Sequence, residues 1–355
     1  MLDVKLVRED PGAIVSNLKR RGALQKVTLV DEAVRTDAEW RRFKSEVDNL
    51  RHRQNELTAQ VAEMKKRGVP IEDKLKEVRT IPQEIEDVEA KSAEKYARLN
   101  GILMSLPNML HESVPAGKDE TQNLIVRSVG KKPKFGFEPK HHIDLLTGLG
   151  MVDMERAAKV TGARFFFLKG DAVKLEHAIM QYALDFLRER GFVAVEPPFM
   201  LNHAAYEGVV NLEDFGPVIY KIEGEDLHLI ATSEHPLVSM HMDEILEGSD
   251  LPIRYCGFSP CFRVEAGAHG KDTKGIFRAH QFYKVEQVVF CRPEESWKLH
   301  EEVLSNIEGI YQALEMPYRV VVLCSGDTGF MSAKTFDLEA WLPGQQNYRE
   351  MGSAS

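Results

Sequence analysis

The chain has 355 residues, of which 43% are hydrophobic and 28% are charged, and its mean hydropathy is −0.31. This composition excludes a wholly disordered or collagen-like chain, and the length predicts about two or three domains. No apolar run approaches the roughly 20 residues of a membrane helix, and the N-terminus lacks the apolar core of a secretory signal. We therefore expect a cytoplasmic protein without a membrane partner.

The net charge of −9 is unevenly distributed along the chain. Residues 1–30 carry six lysines and arginines against three acidic residues, and residues 31–107 carry fifteen against sixteen. Residues 108–355 carry twenty-five basic residues against thirty-six acidic ones. The acidity therefore belongs to the C-terminal two-thirds, and the N-terminal third remains compatible with a phosphate-rich partner.

The four cysteines give no sign of a disulfide framework or a zinc site. None of them forms a Cys-x-x-Cys pair, and no His-Glu-x-x-His pattern occurs among the twelve histidines. Reduced thiols and the absence of zinc are the expectation. The cysteines are Cys256, Cys261, Cys291 and Cys324.

Residues 30–67 carry a sustained heptad pattern that predicts a long coiled-coil helix. Gln54 and, less centrally, Asp37 interrupt an otherwise apolar stripe, and polar residues on such a seam commonly fix its register. Gly68 and Pro70 then predict a break, after which a second apolar stripe continues to Pro107. The stripe positions of the first helix are Val30, Ala33, Asp37, Trp40, Phe43, Val47, Leu50, Gln54, Leu57, Val61 and Met64.

Two helical stripes joined by a short break predict an antiparallel hairpin, with Pro82 either kinking the second helix or marking its first turn. At 1.5 Å per residue the first helix would span roughly 57 Å. Such a rod serves as a dimerisation element, a spacer or an RNA-binding arm, and its basic residues fit a solvated face as well as an RNA contact. Those residues are Arg41, Arg42, Lys44, Arg51, Arg53, Lys65, Lys66 and Arg67.

The rest of the chain predicts an α+β domain preceded by a linker. Glycine and proline are dense in residues 108–172, which places a domain boundary near 110–140. A long amphipathic helix follows from about 173 to Gly191, and the strand candidates after it lack regular βαβ spacing. Neither a Gly-x-Gly-x-x-Gly nor a Gly-x-x-x-x-Gly-Lys-Ser/Thr loop occurs, which disfavours a Rossmann or P-loop nucleotide site. The strand candidates are residues 192–195, 253–257, 282–290, 318–323 and 336–341.

Residues 261–286 predict two strands joined by a mobile loop at 266–275, which is rich in Gly, Lys and His. Because side chains alternate along a strand, Arg263 and Glu265 would share one face of the first strand. The residues alone leave two interpretations open: a phosphate- and base-binding hairpin, or an ordinary hairpin with surface ion pairs. On the second strand the residues that would share a face are Phe282, Lys284 and Glu286.

Several motifs in their order resemble the class II aminoacyl-tRNA synthetases, and the N-terminal hairpin makes the specific resemblance one to seryl-tRNA synthetases. Residues 261–286 resemble motif 2, and residues 191–198 resemble motif 1 with Pro198 as its proline. Further similar stretches are Thr232-Ser233-Glu234, residues 335–350, the opening residues 1–11, and residues 160–170. The resemblance extends over the whole chain.

The resemblance implies an N-terminal antiparallel coiled-coil hairpin followed by a class II antiparallel-sheet catalytic domain. The expected divisions are a tRNA-binding domain over 1–110, a linker and domain entry over 111–172, and the catalytic domain over 173–355. Motif 3 of the family would follow Ser355, so the expectation for this chain is a catalytic domain that is incomplete at its C-terminus, with impaired activity.

The implied reaction is serine–tRNA ligation: L-serine and ATP give seryl-adenylate, and the seryl group passes to the 3′ end of tRNA(Ser), with tRNA(Sec) left open. ATP and Mg²⁺ would be required, and the chain would be a homodimer through motif 1. The tRNA would bind along the coiled-coil arm. The alternatives are a non-catalytic coiled-coil dimer that binds tRNA or protein, and another class II synthetase such as the threonine or proline enzyme, which the N-terminal rod disfavours.

The resemblance also implies the site residues, position by position. The catalytic group would be Arg263, Glu265 and Arg278, with Arg263 on the α-phosphate. The serine pocket would contain Thr232, Ser233, Glu234 and Glu286. The ATP site would contain Arg263, Val264, Glu265, Phe282, Glu350, Met351, Gly352 and Ser353, with Phe282 stacked on adenine and Glu350 binding Mg²⁺.

Overall fold

The computed structural model describes residues 2–265 and 276–355, with the side chain of Asp214 left out. The predicted loop at 266–275 therefore lies outside the described residues. Two units form within the chain: Met1–Glu112 with Phe330–Ala333, and Ser113–Gly329 with Lys334–Ser355. No helix in the described part of the chain is long and apolar enough to span a membrane.

The described residues form the following elements. The helices are α1 (Val4–Glu9), α2 (Pro11–Arg20), α3 (Val27–Lys66), α4 (Glu72–Ser105), α5 (His142–Gly148), α6 (Met154–Thr161), α7 (Asp171–Arg188), α8 (His203–Val209), α9 (Leu212–Phe215), α10 (Glu234–Ser239) and α11 (Ser296–Ala313). The strands are β1 (Leu124–Val129), β2 (Val152–Asp153), β3 (Phe167–Leu168), β4 (Val193–Val195), β5 (Met200–Leu201), β6 (His228–Leu229), β7 (Ile253–Phe262), β8 (Gln281–Phe290), β9 (Tyr318–Val322), β10 (Phe336–Leu342) and β11 (Asn347–Ala354).

The first unit is the predicted helical hairpin, made of α3 with 40 residues and α4 with 34. Every predicted seam position of α3 is buried or half-buried, as the heptad requires. The turn contains Gly68 in the left-handed region, at φ +68°. Pro82 lies inside α4, so the helix continues through it rather than starting there. At the base, an apolar cluster joins α1 and α2 to the hairpin through Ile14, Leu18, Val30, Leu99 and Leu103.

Asp37 is a buried charge on this otherwise apolar seam, with 1% of its surface exposed. Arg8 donates two hydrogen bonds to its carboxylate at 3.0 and 2.7 Å, and Arg41 donates one at 2.8 Å. Burial alone raises the pKa of Asp37, but the two arginines outweigh it and hold the pKa below its ordinary value. The polar seam position thus ties α1 to α3 at one register.

The second unit is the predicted α+β domain. Its four-stranded antiparallel sheet has the order β1-β9-β10-β11, and a second sheet has the order β4-β7-β8. In the second sheet β7 and β8 are antiparallel, while β4 lies parallel to β7. The first sheet packs on α11 through Leu304, Tyr318, Val320 and Leu338. The segment 111–172 contains β1, α5, β2, α6 and β3.

Two expectations about strands differ from the structure. β7 extends to Phe262, five residues beyond the predicted end at 257, because it pairs with β8 along ten consecutive positions. Arg263 and Glu265 lie beyond its end, so the predicted shared face on that strand is wrong. Beyond Phe262 one more cross-strand hydrogen bond forms, from Arg263 N–H to the His280 carbonyl, and Val264 N–H then donates to Val218 instead of to β8.

Replacing Asp37 with asparagine should lower the free energy of unfolding by about 1–3 kcal/mol, because charge-assisted hydrogen bonds from two arginines are removed. The folded-state pKa of Asp37 is depressed, so its contribution is fully present at pH 7. It should decline as the pH falls below about 4. Urea unfolding followed by circular dichroism, at pH 7 and again below pH 4, measures the free energy of unfolding of both proteins.

The matched control is Glu39→Gln. Glu39 is on the same helix as Asp37, and the substitution removes an exposed carboxylate that lies 2.8 Å from Lys95. This variant should unfold like the parent, because exposed ion pairs contribute little. Equal effects of the two substitutions, or an Asp37→Asn effect that does not change with pH, would contradict the role assigned to Asp37.

Candidate active site

The antiparallel pair β7–β8 forms the frame of the site. Its register sets Ser259 opposite Lys284 and Gly257 opposite Glu286. Because side chains alternate along a strand, Phe282, Lys284 and Glu286 lie on the same face of β8, as the sequence predicts. A strand made largely of aromatic and β-branched residues thus carries a lysine and a glutamate at fixed spacing.

Thr232, at the entry to α10, is brought against this face. Its hydroxyl donates to Glu286 Oε2 at 3.1 Å and accepts from Lys284 Nζ at 3.2 Å. It also accepts from the backbone N–H of Glu234 at 3.2 Å. Lys284 Nζ lies 2.6 Å from Glu286 Oε2. The predicted residues Thr232, Glu234 and Glu286 therefore converge, and they do so around a lysine that was not among the predicted site residues.

The cluster brings one lysine together with two carboxyl groups. Burial, followed by the neighbouring Glu286, raises the pKa of Glu234. Burial lowers the pKa of Lys284, but Glu286 and Glu234 outweigh this effect and raise the pKa above its ordinary value. The two carboxyl groups offer hydrogen-bond acceptors of the kind that a primary ammonium group requires.

His235 is the neutral member of the same region. It is 5% exposed and its ring packs edge-on against Tyr206 and Phe215 at centroid distances of 5.2 and 5.6 Å. Burial, with Lys284 and Arg263, lowers the pKa of His235 to about 3. It is therefore an uncharged side chain at neutral pH.

Ser233, predicted to bind serine, is fully buried on the other side of this turn. Its side chain faces Gly257, where an added Cβ would come within 3.0 Å of Ser233 Cβ. Within the described residues its hydroxyl has no hydrogen-bond partner. The structure thus places Ser233 beneath the pocket, packed on β7.

Arg263 lies directly after β7, with its guanidinium Cζ 5.1 Å from the centroid of the Phe282 ring. Its Nε donates to the carbonyl of Ala231 at 3.2 Å, and its backbone N–H donates to the carbonyl of His280 at 3.0 Å. These contacts fix the base of the guanidinium and stack it on an aromatic face. An anchored, planar guanidinium of this kind suits a phosphate oxygen.

Glu265 and Arg278 face each other from the two sides of the segment 266–275. Arg278 donates to Glu265 Oε2 at 3.4 Å, and Arg164 donates to the Glu265 carbonyl at 3.1 Å. Arg164 also lies 3.9 Å from Glu265 Oε2. Arg164 has a left-handed backbone, at φ +62°, and its carbonyl accepts from His280. Arg164 lies in the stretch 160–170 that resembles the family, but its pairing with Glu265, about one hundred residues away, has no local signal.

The β10–β11 hairpin contributes a carboxylate pair. Burial, followed by Glu350, raises the pKa of Asp337 to about 7, while Ser353 donates a hydrogen bond to it. Burial raises the pKa of Glu350 against the opposing effects of Lys284 and Arg263. Glu350 thus lies near Lys284 of β8 and Arg263, Ser353 bonds to Asp337, and Asp337 joins them as a residue that was not predicted from the sequence.

Met351 and Gly352 occupy the layer beneath this hairpin. The side chain of Met351 packs on the core formed with α11, and a Cβ at Gly352 would lie 3.4 Å from Ile307. Only their backbones remain for a ligand. In residues 2–265 and 276–355, no cluster of three or more His, Cys, Asp or Glu side chains is arranged to hold a metal ion.

Comparison with known proteins finds one matching family profile in each of the two units. The profile of the seryl-tRNA synthetase N-terminal domain matches residues 1–110. The profile of the tRNA synthetase class II core domain (G, H, P, S and T) matches residues 219–355. The serine–tRNA ligase of Methanoregula boonei is 49% identical over 355 residues, which is 100% of this chain and 84% of that protein.

Two solved structures have the same fold. The seryl-tRNA synthetase of Pyrococcus horikoshii, crystallised with ATP, has 46% identity and a TM-score of 0.91 over 99% of this chain and 83% of that one. The cytoplasmic serine–tRNA ligase of Naegleria fowleri, crystallised with AMP, has 35% identity and a TM-score of 0.85 over 99% and 85%. The chain therefore belongs to the seryl-tRNA synthetases, the serine–tRNA ligases of the class II aminoacyl-tRNA synthetase family.

Proposed function

We propose that the face of β8 and the turn before α10 bind L-serine, and that Arg263 and the β10–β11 hairpin bind ATP beside it. The observation that carries this assignment is the network of Thr232, Glu286 and Lys284, which lies next to an arginine anchored on Phe282. An ammonium-binding cluster adjacent to a phosphate-binding cation is the arrangement that serine adenylation requires.

The serine pocket works by pairing and by size. The carboxylates of Glu234 and Glu286 accept from the serine ammonium, and Thr232 offers a hydroxyl that can exchange one of its present partners for the substrate. A site that hydrogen-bonds the serine hydroxyl discriminates strongly against alanine, because its own polar groups would be left unpaired. Rejection of threonine depends on excluding one methyl group, worth only about 1–3 kcal/mol.

In the first step a serine carboxylate oxygen attacks the α-phosphorus of ATP, and pyrophosphate leaves with the bridging oxygen. The carboxylate is ionised at neutral pH, so no general base is needed. Catalysis then depends on alignment and on neutralising negative charge at the α-phosphate, which we assign to Arg263. Arg278 lies toward the triphosphate, and Glu265, held by Arg164 and Arg278, faces the adenine or the incoming RNA end.

ATP binding is supported by the Pyrococcus relative, which was crystallised with ATP, and by the Naegleria relative with AMP. Here Phe282 would stack on adenine, while Val264, Met351 and Gly352 would contribute backbone groups. The Naegleria relative is described as cytoplasmic, which supports the same compartment for this chain.

The residues present fit a Mg²⁺ ion. Burial and then the neighbouring carboxyl group of Glu350 raise the pKa of Asp337 to about 7, and a hard cation held by the two groups would favour their ionised forms. Mg²⁺ usually takes one or two carboxylates together with phosphate oxygens and water. Glu350, with Asp337 behind it, would hold the ion, which would neutralise charge on the phosphates.

We assign tRNA(Ser) binding to the arm formed by α3 and α4. Some of its basic residues already have partners: Arg51 pairs with Glu89, and Arg53 and Arg67 pair with Glu77 and Glu63. An RNA-binding role therefore rests on shape and on the backbone contacts that a rod of roughly 60 Å can make.

The motif 1 region supports a homodimer. Leu175, Ile179 and Tyr182 are spaced along one face of α7 and are 62%, 42% and 36% exposed, and Val193 on β4 is 59% exposed. A helix face of this kind is normally covered. We propose that a second copy covers it through a two-fold axis.

The reaction is tested by serine-dependent ATP–pyrophosphate exchange with the purified protein. Arg263→Ala should reduce exchange at least about a hundredfold while serine binding, measured calorimetrically, is retained, because the residue acts on the phosphate. Arg156→Ala removes an exposed arginine paired with Asp153 and should exchange like the parent. Normal exchange by Arg263→Ala would refute the role given to Arg263.

Asp337→Asn tests the carboxylate pair through stability. The folded-state pKa of about 7 lies above the ordinary aspartate value of about 4, so the folded state binds more protons between these values and stability falls as the pH rises through them. The asparagine variant has no titrating carboxyl group at this position, so it avoids this decline. Its free energy of unfolding should exceed that of the parent by a few kcal/mol at pH 8, at about 1.4 kcal/mol per pKa unit, and should equal it at pH 4.

Urea unfolding at the two pH values, with and without Mg²⁺, provides the measurement. Mg²⁺ should stabilise the parent more than Asp337→Asn at pH 8. The control Asp185→Asn removes a half-exposed carboxylate on α7 and should show no such trend. A variant that is less stable than the parent at pH 8 would contradict the raised pKa.

The dimer is tested by sedimentation. The parent should sediment as a dimer at micromolar concentration, and Ile179→Glu should shift it to monomer, because a charge would be buried in the interface without a partner. Ile245→Glu, at a residue that is 96% exposed, is the control and should leave the dimer intact. A monomeric parent would overturn the assignment of this face.

A further inference from the structure

Residues 131–142 form a basic segment that stands out from its surroundings. The segment reads Lys-Lys-Pro-Lys-Phe-Gly-Phe-Glu-Pro-Lys-His-His and leads from β1 into α5. It carries four lysines against one glutamate, whereas residues 108–355 as a whole carry twenty-five basic residues against thirty-six acidic ones. All four lysines are exposed. The segment is thus a local positive surface on an acidic unit.

Two exposed aromatic rings lie within the basic segment. Phe135 and Phe137 are 44% and 69% exposed, and their ring centroids are 5.3 Å apart. Together with Leu145 and Leu342 they line a cavity of about 500 Å³. This volume is within the usual range for a small-molecule or cofactor site. Lysines beside aromatic rings that face an open cavity are typical of surfaces on which nucleic-acid bases stack.

A second contact joins the basic segment to the β10–β11 hairpin. Lys132 Nζ lies 3.6 Å from the ring centroid of Trp341 and 4.7 Å from that of Tyr348. The two rings are edge-on to each other at 5.2 Å. The start of the segment is thereby held on the sheet, with Lys134 and Lys140 exposed further along it.

The cavity adjoins the proposed ATP site through His142. The His142 ring is 5.1 Å from Phe277 and accepts from the backbone N–H of Ile276 at 3.4 Å. Arg349 Cζ lies 4.7 Å from the same Phe277 ring. Phe277 immediately precedes Arg278, and Arg349 immediately precedes Glu350. A chain that reaches the adenylate can therefore pass over the basic segment.

We propose that the basic segment and its cavity bind the single-stranded 3′ end of the tRNA, with Lys134 and Lys140 on phosphates and a base stacked on Phe135 or Phe137. This inference rests on the proposed function, because it extends the site for the same RNA substrate. The charge of the surface selects an anionic chain, and the paired aromatic rings select one that carries flat bases. If an apolar protein surface bound here instead, it would offer no anionic partner to Lys134 and Lys140.

The test separates the contribution of base stacking to tRNA binding from the contribution of charge. Phe135→Ala/Phe137→Ala should raise the KM for tRNA in aminoacylation by about tenfold or more without changing its salt dependence, because base stacking is removed. Lys134→Gln/Lys140→Gln should raise the same KM. It should also make the plot of log affinity against log salt shallower by about 0.7 for each single-strand phosphate that is no longer neutralised.

Serine-dependent ATP–pyrophosphate exchange needs no RNA, so both variants should exchange at the parent rate. The matched controls are Phe167→Ala, at a phenylalanine that is 47% exposed, and Lys159→Gln/Lys298→Gln, at exposed lysines elsewhere in the unit. These controls should charge tRNA like the parent.

Three results would overturn the inference. An unchanged KM for tRNA would show that RNA does not use the surface. Dissociation of either variant into monomers would show that a second copy of the chain covers it. A decrease in exchange equal to the decrease in charging would assign the segment to the ATP site. Failure of the unaltered protein to charge any tRNA would instead refute the proposed function.

Discussion

The pairing of β7 with β8 is the constraint on which the site depends. Ten consecutive antiparallel pairs fix the position of Lys284 and Glu286 relative to the turn at Thr232, with no freedom to slide. A slip of one residue would turn both charged side chains to the opposite face, because the side-chain period is two. Arg263 directly follows the last pair of this ladder, and its guanidinium lies over the ring of Phe282. The pairing thus places the proposed ammonium site and the proposed phosphate site side by side.

Lys284 is the cation shared by the two carboxyl groups of the proposed serine pocket. Repulsion from Glu286 adds to burial in raising the pKa of Glu234. A lysine 2.6 Å from Glu286, and also bonded to Thr232, opposes this rise and holds the hydroxyl in position. The same cation, with Arg263, helps burial to keep His235 neutral and opposes the rise in the pKa of Glu350. One charge therefore influences the protonation of groups on separate elements.

The sequence predicts local patterns well and long-range partners poorly. The heptad of α3 and the face shared by Phe282, Lys284 and Glu286 follow from periodicity alone, and both are confirmed. The turn at Gly68 likewise follows from local backbone chemistry. By contrast, the partners of the backbone after β7, His280 and Val218, have no local signal in the sequence. Arg164 and Asp337 were missed for the same reason: each acquires its role from a partner elsewhere in the chain, Glu265 in one case and Glu350 in the other.

The distribution of charge also has to be judged locally. An acidic catalytic unit would repel an RNA end, yet the reaction requires that end to approach the proposed serine and ATP sites. The screening length is about 8 Å at physiological ionic strength, so distant carboxylates contribute little to a contact made at the surface. What the RNA end encounters is the charge within that distance. Beside the proposed ATP site, we assign this charge to the lysines of residues 131–142 and to Arg349, which packs on Phe277. A chain with net charge −9 can thus present a positive approach to its own active site without a basic domain.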